Sequence, residues 1–352
     1  MRYIGVDLSK RGFTACFLAE DETEQLATYP MTPEGLASFR AQLAPEDRLA
    51  VEVGTNAYYF HDQVHRAVAE VVLVSTYHFA VIAKSKKKTD RGDARLLARF
   101  LKLDYLPRVV MPDARVRQLR HLFTAREALV NMARGLKNMG HAALARNGIA
   151  VTRAAFASQS GRRRLERLEG LAPVDRQVLD MVLRQIESVD REIEEMERTI
   201  MHVGRHLPGL KRLLQVRGLG LIAAIGVLSE IGDIKRFETA KQLVSYAGLA
   251  TSVRQSGDTD HHGHITRQGR PRLRGFMVEA VLSMIRDPVD RRTALVDFYQ
   301  RKKKEKGGGK AICATARKLL TVIFVVLTKE LDYWFLEERL YQKKLKALEK
   351  VA

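Results

Sequence analysis

Residues 2–18, RYIGVDLSKRGFTACFL, decide the fold of the first hundred residues. Two strand-like apolar runs are separated by SKRG, a short polar segment with glycine that is typical of a hairpin turn. Two more apolar runs of buried-strand type follow, LAVEVG at 49–54 and AEVVLVS at 69–75. Helical patterns accompany them around residues 33–43, 57–69 and 91–103. Consecutive strands followed by alternating strands and helices predict a mixed α/β sheet covered by helices.

From Asp113 onward the pattern becomes helical. The clearest signal is an apolar seam whose members are spaced alternately by three and four residues, namely Leu179, Val182, Ile186, Val189, Ile193, Met196, Ile200 and Val203. Such a seam predicts a coiled coil or an antiparallel helical hairpin. A looser apolar stripe over residues 116–133 offers a partner helix, with a basic link between the two.

A new globular unit is expected from about Pro208. Residues 213–237, LLQVRGLGLIAAIGVLSEIGDIKRF, read as two apolar helices around an RGLG turn. This pattern resembles a helix-hairpin-helix, whose turn amides can bind phosphate, and it equally suits a plain glycine-bearing turn. A loop is expected over 251–272 and a flexible basic loop over 301–310. The latter does not match the Walker A spacing.

These patterns predict four regions. They are a metal-binding α/β domain at 1–107, a helical linker at 108–206, a mainly α-helical domain at 207–335 and a basic tail at 336–352.

The composition of the 352-residue chain points to a polyanionic partner. Lys and Arg number 60 against 41 Asp and Glu, which gives a net charge of +19. Nucleic acid is the default partner of so basic a protein. We expect no apolar run long enough to span a bilayer and no signal peptide. Cys16 and Cys313 lie in separate halves, which excludes a cysteine zinc site and suits the cytoplasm.

Two carboxylates lie in strands that disfavour them. Asp7 stands inside YIGVDLSK, and Glu52 ends the apolar part of LAVEVGTN. Acidic residues are depleted from buried strands and costly to bury unless they are paired or bind a metal. Each alone could be a satisfied or outward-facing polar group, but two in one small α/β unit can converge at one sheet edge.

The segment KSKKKTDRGDARLLARFL, residues 84–101, adds two aspartates to a basic run. Asp90 and Asp93 suit the start of a helix, where capping and the helix dipole favour acids. Their spacing also aligns both side chains on one face. Four carboxylates without paired Cys or His indicate Mg²⁺ or Mn²⁺ rather than zinc. The neighbouring lysines would hold a phosphate backbone beside them.

Taken together, the motifs resemble those of the DEDD-type insertion-sequence transposases. The motifs occur in order over almost the whole chain, as GVDLSK, VEVGTN, KSKKKTDRGDA, RGLG, SEIGDIKRF, LVSYAGL, SGDTDHHGHITRQGRPRLR and ATARKLL. Members of this family are recombinases guided by a bridge RNA, with an N-terminal RuvC-like (RNase H-like) domain and a C-terminal transposase domain. GVDLSK alone also suits an actin-like ATPase.

The resemblance implies specific site residues. The family's metal-binding tetrad corresponds to Asp7, Glu52, Asp90 and Asp93, and its catalytic serine to Ser256 in RQSGD. In the family this serine attacks a DNA phosphate and forms a covalent phosphoserine link. In the family, too, the serine domain of one subunit works with the carboxylate domain of another, so we expect a homo-oligomer, a dimer or a tetramer. The expected nucleic-acid contacts are Lys84, Lys86, Lys87, Lys88, Arg91, Arg217, Arg254, Arg267, Arg270 and Arg272.

Other functions stay open at this stage. A RuvC-like nuclease or junction resolvase would use the same carboxylates to activate water. A non-catalytic nucleic-acid-binding protein would need only the net charge and the hairpin motif. Without the resemblance, Ser256 is an ordinary loop serine followed by glycine. The cluster Asp258 to His264 suits a solvated loop better than a metal site.

Overall fold

The computed structural model describes residues 1–82, 89–256, 259–286, 293–334 and 336–350, without the side chains of 80–82, 253–256 and 259–262. The chain divides into two compact units, Met1–Pro112 and Asp113–Ala352. The helical region that follows Asp113 therefore shares a unit with the elements after Pro208. We describe each unit by itself.

The described part of the first unit contains one mixed sheet. Its strands are β1 (Tyr3–Leu8), β2 (Gly12–Leu18), β3 (Glu24–Pro30), β4 (Arg48–Glu52), β5 (Glu70–Val74) and β6 (Arg108–Val109). Their order is β3-β2-β1-β4-β5-β6, with β1–β4 and β4–β5 parallel and the other pairs antiparallel. The predicted hairpin and mixed sheet are confirmed, and the arrangement is consistent with the RNase H-like expectation. The sequence patterns did not predict β3 and β6.

Helices cover both faces of this sheet. They are α1 (Pro33–Arg40), α2 (Ala57–Val64), α3 (Thr76–Ile82) and α4 (Asp90–Lys102). One face packs an aromatic cluster of Phe13, Phe39 and Phe60 between the sheet, α1 and α2. The other face packs Ala50 and Val72 against Leu97 of α4. Alternate residues of one strand thus serve two cores, which explains the near-continuous apolar runs of β1 and β4.

Gly5 lets α4 lie directly on β1. A Cβ atom at Gly5 would lie 2.0 Å from the Ala94 carbonyl oxygen and 2.4 Å from the Ala98 nitrogen. Because both obstacles are backbone atoms, we expect Gly5→Ala to destabilise this unit by about 1–3 kcal/mol or more. Urea unfolding followed by circular dichroism measures the change. Gly54→Ala is the control, since a Cβ atom there meets nothing within 4 Å. Equal stability of the two variants would contradict the close packing of α4.

The second unit begins with a long antiparallel helical hairpin. It comprises α5 (Ala114–Arg146), a 3₁₀ turn (Arg153–Phe156), α6 (Gln159–Glu166) and α7 (Pro173–Gly204). The Arg126–Glu197 pair (2.6 Å) lies near one end, and the Arg146–Asp175 pair (2.5 Å) near the other. The predicted seam of α7 faces inward, with Leu179, Val182, Ile186, Val189 and Ile200 buried. The packed helix pair agrees with the hairpin alternative, while coiled-coil supercoiling stays a prediction.

The remaining elements surround the main core of this unit. They are α8 (Leu210–Gln215), α9 (Leu221–Ile231), a 3₁₀ turn (Ile234–Arg236), α10 (Ala240–Tyr246), β7 (Thr251–Ser256), β8 (Thr259–Ile265), α11 (Pro271–Arg286), α12 (Ala294–Lys306), α13 (Gly308–Thr328) and α14 (Glu338–Glu349). The described part of this unit is thus mainly helical, as expected for the region after Pro208. Its core draws on α5, α7 and most of these helices.

Two loop expectations are wrong. The expected loop at 251–272 contains the antiparallel pair β7–β8, whose largely polar residues show no apolar alternation and so give no strand signal. The expected flexible loop at 301–310 is helical except at Gly307. Lys and Glu are good helix formers, and the single left-handed glycine (φ 78°) is enough to separate α12 from α13.

The expected basic tail includes a docked helix. The Nζ atom of Lys344 in α14 donates to the carbonyl oxygens of Leu214 (2.7 Å) and Val216 (3.0 Å) at the end of α8. Burial lowers the pKa of Lys344 to about 8. In the described part of the chain, α13 is the one helix whose length and composition would suffice to cross a membrane. Seven of its residues are buried in the structure, so it serves as a core helix here.

Candidate functional site

Asp7 and Glu52 lie next to each other at one edge of the sheet. Strands β1 and β4 are parallel neighbours, and their register pairs Val6 with Val51. The next residue on each strand is a carboxylate, and residues at the same level of adjacent strands share a face. Both side chains are half-buried. The two acids that the strand pattern disfavours therefore meet at the carboxyl ends of adjacent parallel strands, as predicted from their positions.

Helix α4 brings its first turn to the same edge. Tyr3 packs with Ala98 of α4 and Gly5 lies against Ala94, so the helix runs antiparallel to β1. Moving along β1 toward Asp7 therefore leads back along α4 to Asp93 and Asp90. Gly5 and Ala50 pair in register and face α4, and Asp7 and Glu52 stand two residues further on, which places them on that face.

Thr89 caps this helix. Its hydroxyl accepts a hydrogen bond from the Gly92 amide at 3.1 Å. Asp90 and Asp93 are the acids of the first turn, with Asp90 exposed and Asp93 half-buried. Because Thr89 supplies the cap, local capping does not account for the two aspartates. They still interact favourably with the positive end of the helix.

The donor chemistry of this edge fits a hard cation. Carboxylate oxygens are the ligands that Mg²⁺ and Mn²⁺ prefer. The side chains of the described residues, however, include no group of three or more His, Cys, Asp or Glu close enough to hold a metal ion. The backbone thus brings the four carboxylates to one edge, and their side chains are not gathered into a completed ligand set.

Hydrogen bonds between three turns hold this edge together. Asn56 Nδ2 donates to the Ser9 carbonyl oxygen (3.0 Å), and Thr76 Oγ1 donates to the Val53 carbonyl oxygen (3.0 Å). The turns after β1, β4 and β5 are thereby linked around Asp7 and Glu52. Sequence reasoning missed Asn56 and Thr76, because polar residues after strands look alike whether or not they bridge to another turn.

The basic segment beside α4 is only partly described. Lys84, Lys86, Lys87 and Lys88 lie outside the described residues. Arg91 is exposed in the first turn of α4. A contact of this segment with phosphate stays a prediction.

Ser256 is the last residue of β7. Its Cα is paired with Thr259 of β8, so Gly257 and Asp258 at the tip lie outside the described residues. The side chains of Ser256 and Arg254 are not described. Arg267, which follows the hairpin, is exposed and has a left-handed backbone (φ 56°).

The base of this hairpin is tied by Tyr246 and Arg270. The Arg270 amide donates to the Tyr246 carbonyl oxygen (2.8 Å), and Arg270 Nε donates to the Tyr246 hydroxyl (2.8 Å). That hydroxyl donates in turn to the Glu230 carbonyl oxygen (3.2 Å). The residues that enter and leave the hairpin are thus joined to each other and to α9.

The Glu230 carboxylate is the buried charge of this region. It is 2% exposed, and Arg272 Nη1 lies 2.9 Å from Oε1 while Arg270 Nη1 lies 3.8 Å from Oε2. Arg272 also donates to Thr124 Oγ1 (3.0 Å) and Glu127 (3.1 Å). Two arginines expected to bind nucleic acid therefore neutralise a buried carboxylate in this structure.

The RGLG turn is mostly buried. Arg217 is 7% exposed, and a Cβ atom at Gly218 would lie 2.3 Å from the Ala280 carbonyl oxygen in α11. Gly218 (φ 84°) therefore serves a close approach between elements. The expected nucleic-acid contact of Arg217 stays a prediction, and the buried side chain offers little surface for it.

Two family models match this chain. Residues 4–147, which include all four carboxylates, match the DEDD transposase model of the IS110 type. Residues 210–295, which include Ser256, match the model described as the transposase IS116/IS110/IS902 family.

Curated relatives extend the match over most of the chain. A probable family 20 transposase of Pseudomonas aeruginosa is 24% identical over 94% of this chain and 98% of its own. The pilin gene-inverting protein of Moraxella bovis is 27% identical over 92% and 95%. The transposase for insertion sequence element IS1111A of Coxiella burnetii is 23% identical over 74% and 72%. With the two matching models in the same order along the chain, these relatives place it among the DEDD transposases of the IS110/IS116 family.

Proposed function

We propose that this chain cleaves and rejoins DNA strands during the transposition of an insertion sequence. In this proposal Asp7, Glu52, Asp90 and Asp93 hold Mg²⁺ or Mn²⁺, and Ser256 is the nucleophile. The observation that carries it is the meeting of Asp7 and Glu52 on adjacent parallel strands. Because α4 runs back along β1 from Asp93, a third and a fourth carboxylate belong to the same edge.

Each part of the chain has a distinct task in this chemistry. A bound divalent cation would supply Lewis acidity toward phosphate oxygens. The carboxylates fix where such a cation binds. The Ser256 oxygen forms a bond to phosphorus as the bond from phosphorus to one strand oxygen breaks, and that oxygen leaves as a hydroxyl. The serine ester retains the energy of the broken bond, so a strand hydroxyl can reverse the step and rejoin DNA.

The partners are donor and target DNA, a structured guide RNA and further copies of this chain, forming a dimer or a tetramer in the bacterial cytoplasm at the nucleoid. The net charge of +19 supports a nucleic-acid partner. The guide RNA and the oligomer rest on the family resemblance. So does the cooperation of the serine region of one subunit with the carboxylates of another.

A nuclease is the second candidate. The same carboxylate edge would serve a metal-dependent hydrolase in which water replaces Ser256. Both candidates need Asp7, so the first test addresses the site that they share.

The test compares Asp7→Asn with Asp21→Asn on the full chain. Asp21 carries the same chemical group in the exposed turn after β2, at the other edge of the sheet. With the element's DNA, its flanking transcript and Mg²⁺, a denaturing gel measures strand cleavage. We expect Asp7→Asn to lower the cleavage rate by at least on the order of a hundredfold, because one metal ligand is weakened. Asp21→Asn should match the wild type. Full cleavage by Asp7→Asn would refute a role for this edge.

A further inference from the structure

Helices α12 and α13 carry a basic surface that the proposed chemistry does not use. Residues 294–328 contain eight Lys and Arg against Asp297 and Glu305. Seven of the cations are exposed, and we call them the α12–α13 basic surface: Arg301, Lys303, Lys304, Lys306, Lys310, Arg317 and Lys318.

The packing of the two helices brings these charges together. Arg301 of α12 and Lys318 of α13 lie over the same Phe298 ring, at 5.6 and 4.8 Å from its centre. At the other end, Lys306 and Lys310 flank Gly307, the single residue between the helices. The cations of both helices therefore form one continuous surface.

Internal partners do not account for this charge. Glu305 is already bonded by Lys302 at 2.6 Å, and that bond, with Lys306 and Arg301 nearby, holds the pKa of Glu305 below its ordinary value. Within the described residues, the seven cations of the surface form no ion pair. A surface with so few acids leaves its charge available to an external anion.

Helix stability does not account for the charge either. The last turn of α12 favours cations through the helix dipole, which explains Lys303, Lys304 and Lys306 in part. Lys310, however, lies in the first turn of α13, the positive end, where a cation is unfavourable. Like charges three or four residues apart, such as Arg301 and Lys304, also destabilise a helix by a few tenths of a kcal/mol per pair.

We propose that the α12–α13 basic surface binds the phosphodiester backbone of a nucleic acid. A backbone presents regularly spaced phosphates, and lysines on two packed helices can neutralise several of them at once. This inference rests on the proposed function, since it assumes that the chain works on nucleic acid. It adds a binding surface away from the carboxylates and Ser256 in the sequence.

The test is the salt dependence of binding. Fluorescence anisotropy of a labelled DNA duplex and of a structured RNA of equal length is measured from low to high salt, with a chelator present to prevent cleavage. The variant replaces Lys303, Lys304, Lys306 and Lys310 by Gln. Each lost phosphate contact lowers the slope of log K against log salt by about 0.9 on duplex DNA. We expect the slope to fall by about 2 to 4 on at least one polymer, and the polymer affected identifies the source of the backbone.

The control changes the net charge equally elsewhere in the same unit. It replaces four exposed lysines on other elements by Gln: Lys211, Lys235, Lys241 and Lys329. Its slope should fall by less than one on both polymers. An unchanged slope for the surface variant on both polymers, or an equal fall in the two variants, would overturn the inference. Because cleavage is assayed separately, the inference can fail while the proposed function stands. Wild-type protein that binds neither polymer would overturn both.

A double variant guards against misfolding. Lys304→Gln with Lys310→Gln removes one exposed charge from each helix, and its circular dichroism should match the wild type. Its slope should fall by about half as much as that of the fourfold variant. A fall no larger than that of the control would count against the inference.

Discussion

Ser256→Ala is expected to abolish the covalent protein–DNA adduct and to lower strand rejoining by at least on the order of a thousandfold. Alanine has no oxygen to attack phosphorus, and no other group can form the same ester. The carboxylate edge lies in the other unit and keeps its residues. A recombinase that depends on the serine ester would therefore lose both products, whereas a hydrolytic nuclease would continue to cut.

The measurement uses labelled element DNA with its flanking transcript and Mg²⁺. Denaturing gels show the adduct as a shifted band, and sequencing of the ligated ends measures rejoining. Ser252→Ala is the matched control, because Ser252 is an exposed serine of the same strand whose hydroxyl donates to the His264 carbonyl oxygen (3.3 Å). An adduct that persists in Ser256→Ala would place the nucleophile elsewhere. Cleavage without any adduct in the wild type would favour the nuclease.

The sequence predicted the parts of the site that depend on local pattern. Asp7 and Glu52 stand out because an acid contradicts the apolar strand around it. The parallel pairing of β1 and β4 then brings them to one level. Asp90 and Asp93 were recognised from their spacing, although a start-of-helix pattern does not reveal that Thr89 supplies the cap.

Contacts between distant residues were beyond such patterns. Arg270 and Arg272 look like phosphate ligands in a basic stretch, and only the fold shows Glu230, about forty positions earlier, between them. The strand hairpin that contains Ser256 also escaped prediction. Its ends are fixed by Tyr246 and Arg270 rather than by an apolar face. Lys344 likewise looks like part of a solvated tail, yet it bonds to carbonyl oxygens of α8.

Glu230→Ala is expected to destabilise the second unit by about 3–5 kcal/mol. The Glu230 carboxylate is 2% exposed, and its removal leaves the guanidinium of Arg272 without its nearest counter-charge. Breaking a buried pair by deleting one partner costs this much because the other charge stays desolvated. Glu230→Gln should cost less, since the amide oxygen can still accept a hydrogen bond from Arg272.

Trp334, the single tryptophan of the chain, lies in this unit, so its fluorescence can follow urea unfolding there. Glu279→Ala, at an exposed acid of α11, is the control and should change stability by less than about 0.5 kcal/mol. Adding Arg272→Met to Glu230→Ala should restore part of the loss, because the unpaired charge disappears. The Tyr246 hydroxyl bonds to the Glu230 backbone, and Arg270 bonds to Tyr246. Loss of the carboxylate should therefore also raise amide hydrogen exchange at the hairpin base. A double variant no more stable than Glu230→Ala would show that the pair is not what stabilises this region.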